Sequence, residues 1–369
     1  MLSSNTPIRV LNVFMVLDRG GAETLVMNLY RNMDRTKIQF DFMVHGNQIG
    51  AYEEEILSLG GRIFRMPPYS LFNLFSYNKA LKVFFKEHKE YRIVHAHNSE
   101  LGNLVLRQAK IAGIPHRICH AHSAPHGVSI HNMLRNIFRW HTERYTTERM
   151  ACSELAGHWQ FGSKGHFTVI KNGIDLNQFT YDESLRLKTR DELGLKDKFV
   201  IGHVGRFVPT KNHTFLLKVF KFIVSSRDDA VLVLVGDGPL RKQMEQEAEA
   251  LGLSDKVMFM GVREDVDALM NACDVFVFPS LFEGLGIVLV EAQATGLPCI
   301  ISDAVPTQVS VTDLCHFLPL EKPEEWAKCI LSLDAMKRKG RTEAAAKGGY
   351  DIRLSADFLT HLYQRMAND

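Results

Sequence analysis

Two glutamates stand eight positions apart in the stretch Phe278 to Asp303, FPSLFEGLGIVLVEAQATGLPCIISD: Glu283, directly ahead of Gly284 and Gly286, and Glu291, inside a helical segment. Glycines let the backbone approach a ligand closely, and the free N–H groups and dipole of the following helix favour a phosphate there. Gly284, Val288 and Glu291 fall on one helical face, so Glu291 can point along the side on which that phosphate would sit. A carboxylate repels a diphosphate, so the targets of Glu283 and Glu291 are hydroxyl groups, whose protons they accept. Diphosphate plus hydroxyls describes a nucleotide sugar.

Further along the same half, the run Phe199 to Phe207 reads as a strand ending in Gly205-Arg206, with Lys211 five residues beyond Arg206 and a helix from about Thr214. Two cations at a strand end suit a leaving diphosphate. In the first half, Gly20-Gly21 separates an apolar strand, Ile8 to Leu17, from the helical TLVMNLYRNM, a second place for an anion or a close ligand. Two histidine pairs close strands: His95 and His97 in IVHAH, and His120 and His122 in RICHAHS. An H-x-H pair invites a zinc reading, but no third ligand at suitable spacing is apparent, so no metal is expected. Asp265-Val266-Asp267 precedes a helix, where acids complement the helix dipole, and is read as a helix start instead of a metal-holding D-x-D.

The elements carrying these residues alternate. Strands at Phe40 to Val44, Val231 to Val235, Val257 to Met260 and Asp274 to Phe278 are separated by helical or turn segments, among them Tyr52 to Leu59 and Gly236-Asp237-Gly238-Pro239. Such alternation with short connections is the signature of parallel, doubly wound sheets, and 369 residues are enough for two domains. Neither glycine loop completes G-x-G-x-x-G, which disfavours a dehydrogenase. No apolar run reaches a membrane span and the N-terminus lacks the regions of a signal peptide, so a cytoplasmic location is expected. The six cysteines (Cys119, Cys152, Cys273, Cys299, Cys315, Cys329) show no C-x-x-C pair and read as buried free thiols.

Net charge is only +2, but Arg62 to Arg149 holds 14 lysines and arginines against 5 acids, so the rest is acidic. Within that basic region, Tyr69 to Tyr91 sets Phe72, Phe75, Phe84 and Phe85 among Lys79, Lys82, Lys86 and Lys89. His131 to Arg149 sets Met133, Leu134, Ile137, Phe138 and Trp140 among Arg135, Arg139, Arg144 and Arg149. Basic amphipathic helices suit an anionic membrane surface or a diphosphate lipid, although an ordinary core-facing helix with a solvated basic face has the same pattern.

The pattern PS-x-x-EG-x-G-x-x-x-x-EA-x-A-x-G-x-P resembles the donor site of family 4 glycosyltransferases of the GT-B fold, and the order of motifs resembles that family over nearly the whole chain. Similarity is greatest to bacterial exopolysaccharide and capsule glycosyltransferases, through the GGAET turn and the LPCIISD strand. The resemblance implies an α/β protein of two Rossmann-like doubly wound domains facing a cleft: an acceptor domain over 1–176, closed by a helix at 354–369 that crosses back onto it, and a donor domain over 177–353. Lys171-Asn172-Gly173-Ile174-Asp175 is similar to the segment that ends the first domain in such enzymes.

By the same resemblance, Glu291 holds the ribose hydroxyls, Glu283 contacts the transferred sugar, and the backbone of Gly284, Leu285, Gly286 and Ile287 meets phosphates and sugar. Gly21 and Gly205 line the donor site, Val262 reaches the base through its backbone, and Arg206 and Lys211 meet the diphosphate. Asn212 stands where the family often has glycine. His122, with His120 as the fallback, lies next to the transferred sugar. The expected reaction is retaining transfer from a nucleoside diphosphate sugar, UDP-linked, to a hydroxyl of a lipid-linked saccharide, without metal or other cofactor and without nucleic acid. The expected place is the cytoplasm, peripheral on the inner face of the membrane. Two alternatives stand beside it: a sugar-nucleotide epimerase of the same fold, and a catalytically silent membrane-surface partner in a polysaccharide assembly complex.

Overall fold

In the computed structural model, which describes residues 6–70, 73–97, 99–122, 144–333 and 338–369, the chain forms two compact units. One runs to Gly173 and includes Ile352–Asp369; the other is Ile174–Asp351. The changeover lies slightly ahead of the expected Leu176 and Arg353. It is marked by an isolated bridge from Ile174 to Asp351.

The first unit consists of β1 (Ile8–Val13), α1 (Gly21–Asn32), β2 (Ile38–His45), α2 (Glu53–Ser58), β3 (Ile63–Met66), α3 (Leu74–Glu87), β4 (Ile93–Ala96), α4 (Ser99–Ile111), β5 (His116–Ala121), β6 (Glu148–Ala151), α5 (Glu154–Phe161) and β7 (Thr168–Val169). Its strands lie in the order β3-β2-β1-β4-β5-β6-β7, all parallel. Such strands are covered on both faces, which is why they read as apolar runs. β2 is buried along its whole length. The one charge within it, Asp41, is held by Arg9 Nε at 2.6 Å, the Tyr91 hydroxyl at 2.7 Å and the Arg62 amide at 2.8 Å. A buried carboxylate is tolerable only with such partners. The last helix, Ile352–Asn368, returns to this unit and buries Ile352, Ala356, Leu359, Tyr363 and Met366 against the core of Leu25, Leu29, Tyr30 and Phe40.

Two local expectations are corrected here. β1 ends at Val13, and Phe14 and Leu17 are buried in the loop beyond it, because burial selects apolar residues in loops as it does in strands. The helix after the glycine pair starts ahead of the expected Thr24: Gly20 caps α1 and Gly21 is its first residue. A Cβ on Gly20 would lie 2.3 Å from Glu23 Oε2, the movable tip of a side chain, and one on Gly21 meets nothing, so neither position sterically requires glycine.

The second unit consists of α6 (Glu183–Glu192), β8 (Phe199–Val204), α7 (His213–Ser226), β9 (Ala230–Val235), α8 (Arg241–Ala250), β10 (Val257–Gly261), α9 (Val266–Ala272), β11 (Val275–Phe278), α10 (Ile287–Ala294), β12 (Cys299–Ser302), β13 (Cys315–Leu318), α11 (Pro323–Ser332) and α12 (Thr342–Lys347). Its parallel sheet has the order β10-β9-β8-β11-β12-β13. Arg338 is partly buried and donates to the carbonyls of Met270, Asn271 and Cys273 and to Thr295, closing the C-terminal end of α9. In both units the strand order reverses at one point, between β1 and β4 and between β8 and β11, and such switch points are where parallel α/β sheets bind ligands.

Among the cysteines, Cys119, Cys273 and Cys299 are buried as expected, but Cys152, Cys315 and Cys329 are only partly so. The stretch read as amphipathic over His131 to Arg149 lies outside the described residues as far as 143, and Arg149 itself is in β6. Phe72, Ser123, Met336 and Lys337 are likewise outside them. Among the described residues, no helix is long and apolar enough to cross a membrane.

Candidate functional site

At the switch point of the second unit, β8 delivers Gly205 and Arg206 and β11 delivers Ser280 and Glu283. Gly205 is pinned to the neighbouring strand end by its amide, 2.9 Å from the Val235 carbonyl. Gly236, at φ 134°, packs so closely there that a Cβ would sit 2.2 Å from the Gly205 oxygen. Arg206 is exposed and makes no ion pair among the described residues. Lys211 closes a short turn, Pro209–Lys211, and Asn212 follows in the left-handed region at φ 55°, the one non-glycine residue with positive φ among those described. Asparagine, like glycine, tolerates that conformation.

Lys211 Nζ lies 2.5 Å from Glu283 Oε1 and 4.7 Å from the centroid of the Phe278 ring, with both charged side chains largely shielded. Behind it stand two imidazoles that the sequence reading passed over, His203 and His213. Burial, with the Lys211 charge adding to it, keeps both neutral, and the His213 pKa is pushed down to about 4. His203 Nδ1 faces the Val277 carbonyl at 2.8 Å, and His213 stacks on Phe207 at 4.1 Å. The signal was present in the alternation of β8, where His203 follows Ile201 on one face.

Gly286, at φ 77°, is the N-cap of α10, and no side chain caps that end. The helix therefore begins at Ile287, which corrects the expectation that Gly284 shares a helical face with Glu291. Gly284 is in the loop, with open space where a Cβ would be. The uncapped start of α10, next to Leu285 and Gly286, leaves backbone N–H groups available to an anion. One helical turn further on, burial pushes the Glu291 carboxyl up to about 7, with the Asp267 charge adding to it. Asp265 caps nothing with its side chain but pairs with Arg263 Nη2 at 2.6 Å, and Asp267 lies in the first turn of α9. Val262 follows the end of β10 and is exposed.

The switch point of the first unit is built from histidines. β4 and β5 pair with His95 opposite Ile118 and Ala96 opposite Cys119, so alternation brings the two H-x-H pairs onto one face. His95 Nε2 lies 3.2 Å from His120 Nδ1, and His97 Nδ1 lies 2.9 Å from His122 Nε2. His95 and His97 stack at 4.1 Å, and His97 stacks on Phe14 at 4.5 Å. Two further residues hold the group from outside: Tyr363 of the last helix, 2.8 Å from His95 Nδ1, and Asn12 of β1, 3.0 Å from His97 Nε2. Burial keeps all four imidazoles neutral, those of His95 and His122 being pushed down to about 3.

The absence of a third ligand expected for an H-x-H pair is also corrected. One nitrogen from each of His95, His97 and His120 lies within 4.8 Å of the others. Strand pairing supplied what sequence spacing could not. Gly21 is on α1 and makes no contact through a side chain. His122 belongs to the array; Gly205, Arg206, Lys211, Glu283, Gly284 to Ile287, Val262 and Glu291 belong to the second unit.

Comparisons with known proteins divide along the same boundary. Residues 19–178 match the model of Glycosyltransferase Family 4, and residues 186–337 match that of Glycosyl transferases group 1. The Bacillus subtilis protein EpsF, named as a glycosyltransferase, is 39% identical over 368 residues, 96% of each chain. An Escherichia coli enzyme named UDP-Gal:alpha-D-GlcNAc-diphosphoundecaprenol alpha-1,3-galactosyltransferase is 33% identical over 231 residues, 58% of each chain. The crystal structure of HepE from Anabaena in complex with UDP has a TM-score of 0.79, at 22% identity, over 97% of this chain and 100% of that one.

Proposed function

The chain belongs to the family 4 glycosyltransferases, with two parallel-sheet units of the GT-B class, and from that premise we propose that it transfers a sugar from a UDP-sugar, with retention, to a hydroxyl of a lipid-linked saccharide in exopolysaccharide or capsule synthesis. The observation that carries this reading is the meeting of Lys211, Glu283 and the open N-terminus of α10 at the β8–β11 switch point. Cations and free amides there match a diphosphate, and carboxylates match hydroxyls. The E. coli relative supports the donor and acceptor classes, since its name joins a UDP-sugar to a diphosphoundecaprenol-linked saccharide.

In the proposed reaction the bond from the anomeric carbon to the leaving diphosphate oxygen breaks as the bond to the acceptor oxygen forms on the same face. The departing phosphate takes the acceptor's proton. Arg206, Lys211 and the α10 dipole stabilise the charge that grows on the diphosphate, a role that elsewhere falls to a metal. Glu283 leaves Lys211 for a sugar hydroxyl, Glu291 accepts from the ribose, and Val262 offers its backbone to the base. The backbone of Gly284 to Ile287 and of Gly205 and Gly21 borders the donor. His122 is assigned to a hydroxyl of the transferred sugar.

Peripheral membrane contact is proposed through α3. It turns Tyr77, Leu81, Phe84 and Phe85 inward and leaves Phe75 88% exposed among the exposed Lys79, Lys82 and Lys86. Beside it, a cavity of about 490 Å³ is lined by Lys82, Lys86, Lys89 and Arg92 without a carboxylate. The deciding experiment is nucleoside diphosphate release from a panel of sugar nucleotides, in chelator, with and without membrane lipid extract. Release from one donor, stimulated by the lipid, is expected. Nucleotide binding without release turns the reading towards an epimerase, and no binding at all ends the transferase reading.

A further inference from the structure

Hydrogen-bond chemistry gives direction to one row of the histidine array. Asn12 Nδ2 faces the Val10 carbonyl at 3.4 Å, which leaves Asn12 Oδ1 towards His97 Nε2 at 3.0 Å. An amide oxygen only accepts, so His97 Nε2 carries the proton. A neutral His97 then has a bare Nδ1, which must accept, and His122 Nε2, 2.9 Å away, is its donor. A neutral His122 has its second nitrogen bare. That atom, His122 Nδ1, is buried and has no hydrogen-bond partner among the described residues.

We propose that Asn12 and His97 are positioning residues that lock His122 in one tautomer, so that it presents an acceptor, and only an acceptor, to a hydroxyl group of the substrate. The inference rests on the transferase reading for the identity of that substrate but not for the tautomer. His122 follows the C-terminal end of β5, the edge at which such sheets meet ligands. A bare ring nitrogen takes a hydroxyl, which donates, and rejects a carboxylate or phosphate oxygen, which cannot. The other row lacks this direction, because a phenol can donate or accept: Tyr363 fixes no tautomer in His95 and His120. A bound transition ion fits the geometry less well. One nitrogen from each of His95, His97 and His120 lies within 4.8 Å of the others, but the His95–His120 and His97–His122 pairs stand at hydrogen-bond distance, where the acceptor's lone pair is already used.

The test is nitrogen-15 NMR of the full chain, purified without an affinity tag and labelled in the histidine rings, with the His122 signals assigned by His122→Gln. Wild type should show an imine-type Nδ1 and a pyrrole-type Nε2 at His122. Asn12→Asp, which keeps an acceptor oxygen, should preserve that pattern, and Asn12→Leu should mix the two tautomers. Asn12→Leu should also lower kcat/KM for the preferred sugar nucleotide by about 10- to 100-fold, the range for leaving a buried partner unmatched, while UDP affinity stays within about twofold. Among singly deoxygenated donors, one should lose activity in wild type and lose no more in Asn12→Leu, since that variant has already lost the contact. A pyrrole-type Nδ1 in wild type, a tautomer indifferent to Asn12→Leu, additive losses for every deoxygenated donor, or a stoichiometric transition ion held on these imidazoles would each overturn the proposal. If no sugar nucleotide is bound or turned over, the transferase reading fails, whereas the NMR signature still stands or falls alone.

Discussion

The two switch points of this molecule occupy equivalent places in their sheets and are made of opposite materials. Between β8 and β11 the side chains are charged and partly open: an exposed Arg206, Lys211 held by Glu283, and Glu291 on the first turns of an uncapped helix. Between β1 and β4 they are uncharged and enclosed, four imidazoles stacked and hydrogen-bonded to an amide and a phenol. A charged pair changes partners readily when an anion arrives, because the anion replaces one counter-charge with another. A neutral array cannot do that, but it holds a lone pair in one direction without the reorganisation that a charge would demand. On the proposed reading, the same fold position binds phosphate in one unit and orients a hydroxyl in the other.

The largest effect that would break this contrast is in the charged unit. Lys211→Ala should lower turnover by about 10² or more if the ammonium meets charge chiefly in the transition state, measured as single-donor turnover at saturation. Turnover near that of wild type would take Lys211 out of the mechanism. Next in size, Glu291→Ala should weaken donor binding by about 1.5 to 3 kcal/mol, the range for hydrogen bonds to charged groups, as read by calorimetry. Unchanged affinity would refute the ribose assignment.

A pH titration sharpens the comparison further. Because the Glu291 carboxyl is raised from 4.5 to about 7 in the folded chain, its own contribution to stability should fall as pH rises through that window, read as the difference between wild type and Glu291→Gln. Donor affinity should move the other way, rising as pH passes about 7 and the carboxylate becomes the form that accepts ribose protons, and Glu291→Gln should flatten the profile. The array should leave donor affinity near pH 7 unchanged, but its imidazoles, at 6.5 when unfolded and near 3 at His95 and His122 when folded, should add stability as pH rises through that range. The smallest expected effect is at the surface. Lys82→Glu with Lys86→Glu should reduce flotation with vesicles containing anionic lipid, and leave flotation with neutral vesicles unchanged, by the roughly 1 kcal/mol expected for each basic residue near such a surface.

Much of the charged site was legible because its logic is local. Strand end, glycine, cation and glutamate follow one another within a few residues, and α10 with its flanking strands stands where FPSLFEGLGIVLVEAQATGLPCIISD placed it. What misled was the helix start: spacing alone put Gly284 on the helical face, but the positive φ of Gly286 delays the first turn to Ile287. The histidine array was legible only in halves. Each H-x-H pair was visible at a strand end, yet their meeting depends on β4 and β5 being neighbours in register, which no spacing along the chain encodes. Asn12 left a trace, as the one uncharged polar residue in β1, and Tyr363 left none, being 268 residues from the histidine it touches.

That last contact bears on how the protein is made. The helix Ile352–Asn368 supplies Leu359, Tyr363 and Met366 to a core otherwise built from the first 173 residues. During synthesis the unit Ile174–Asp351 emerges whole before the last helix and can fold first, while the earlier half waits, its apolar sheet face uncovered, until Ile352–Asn368 arrives. The half translated first is finished last, and in the interval its uncovered apolar surface is open to other chains.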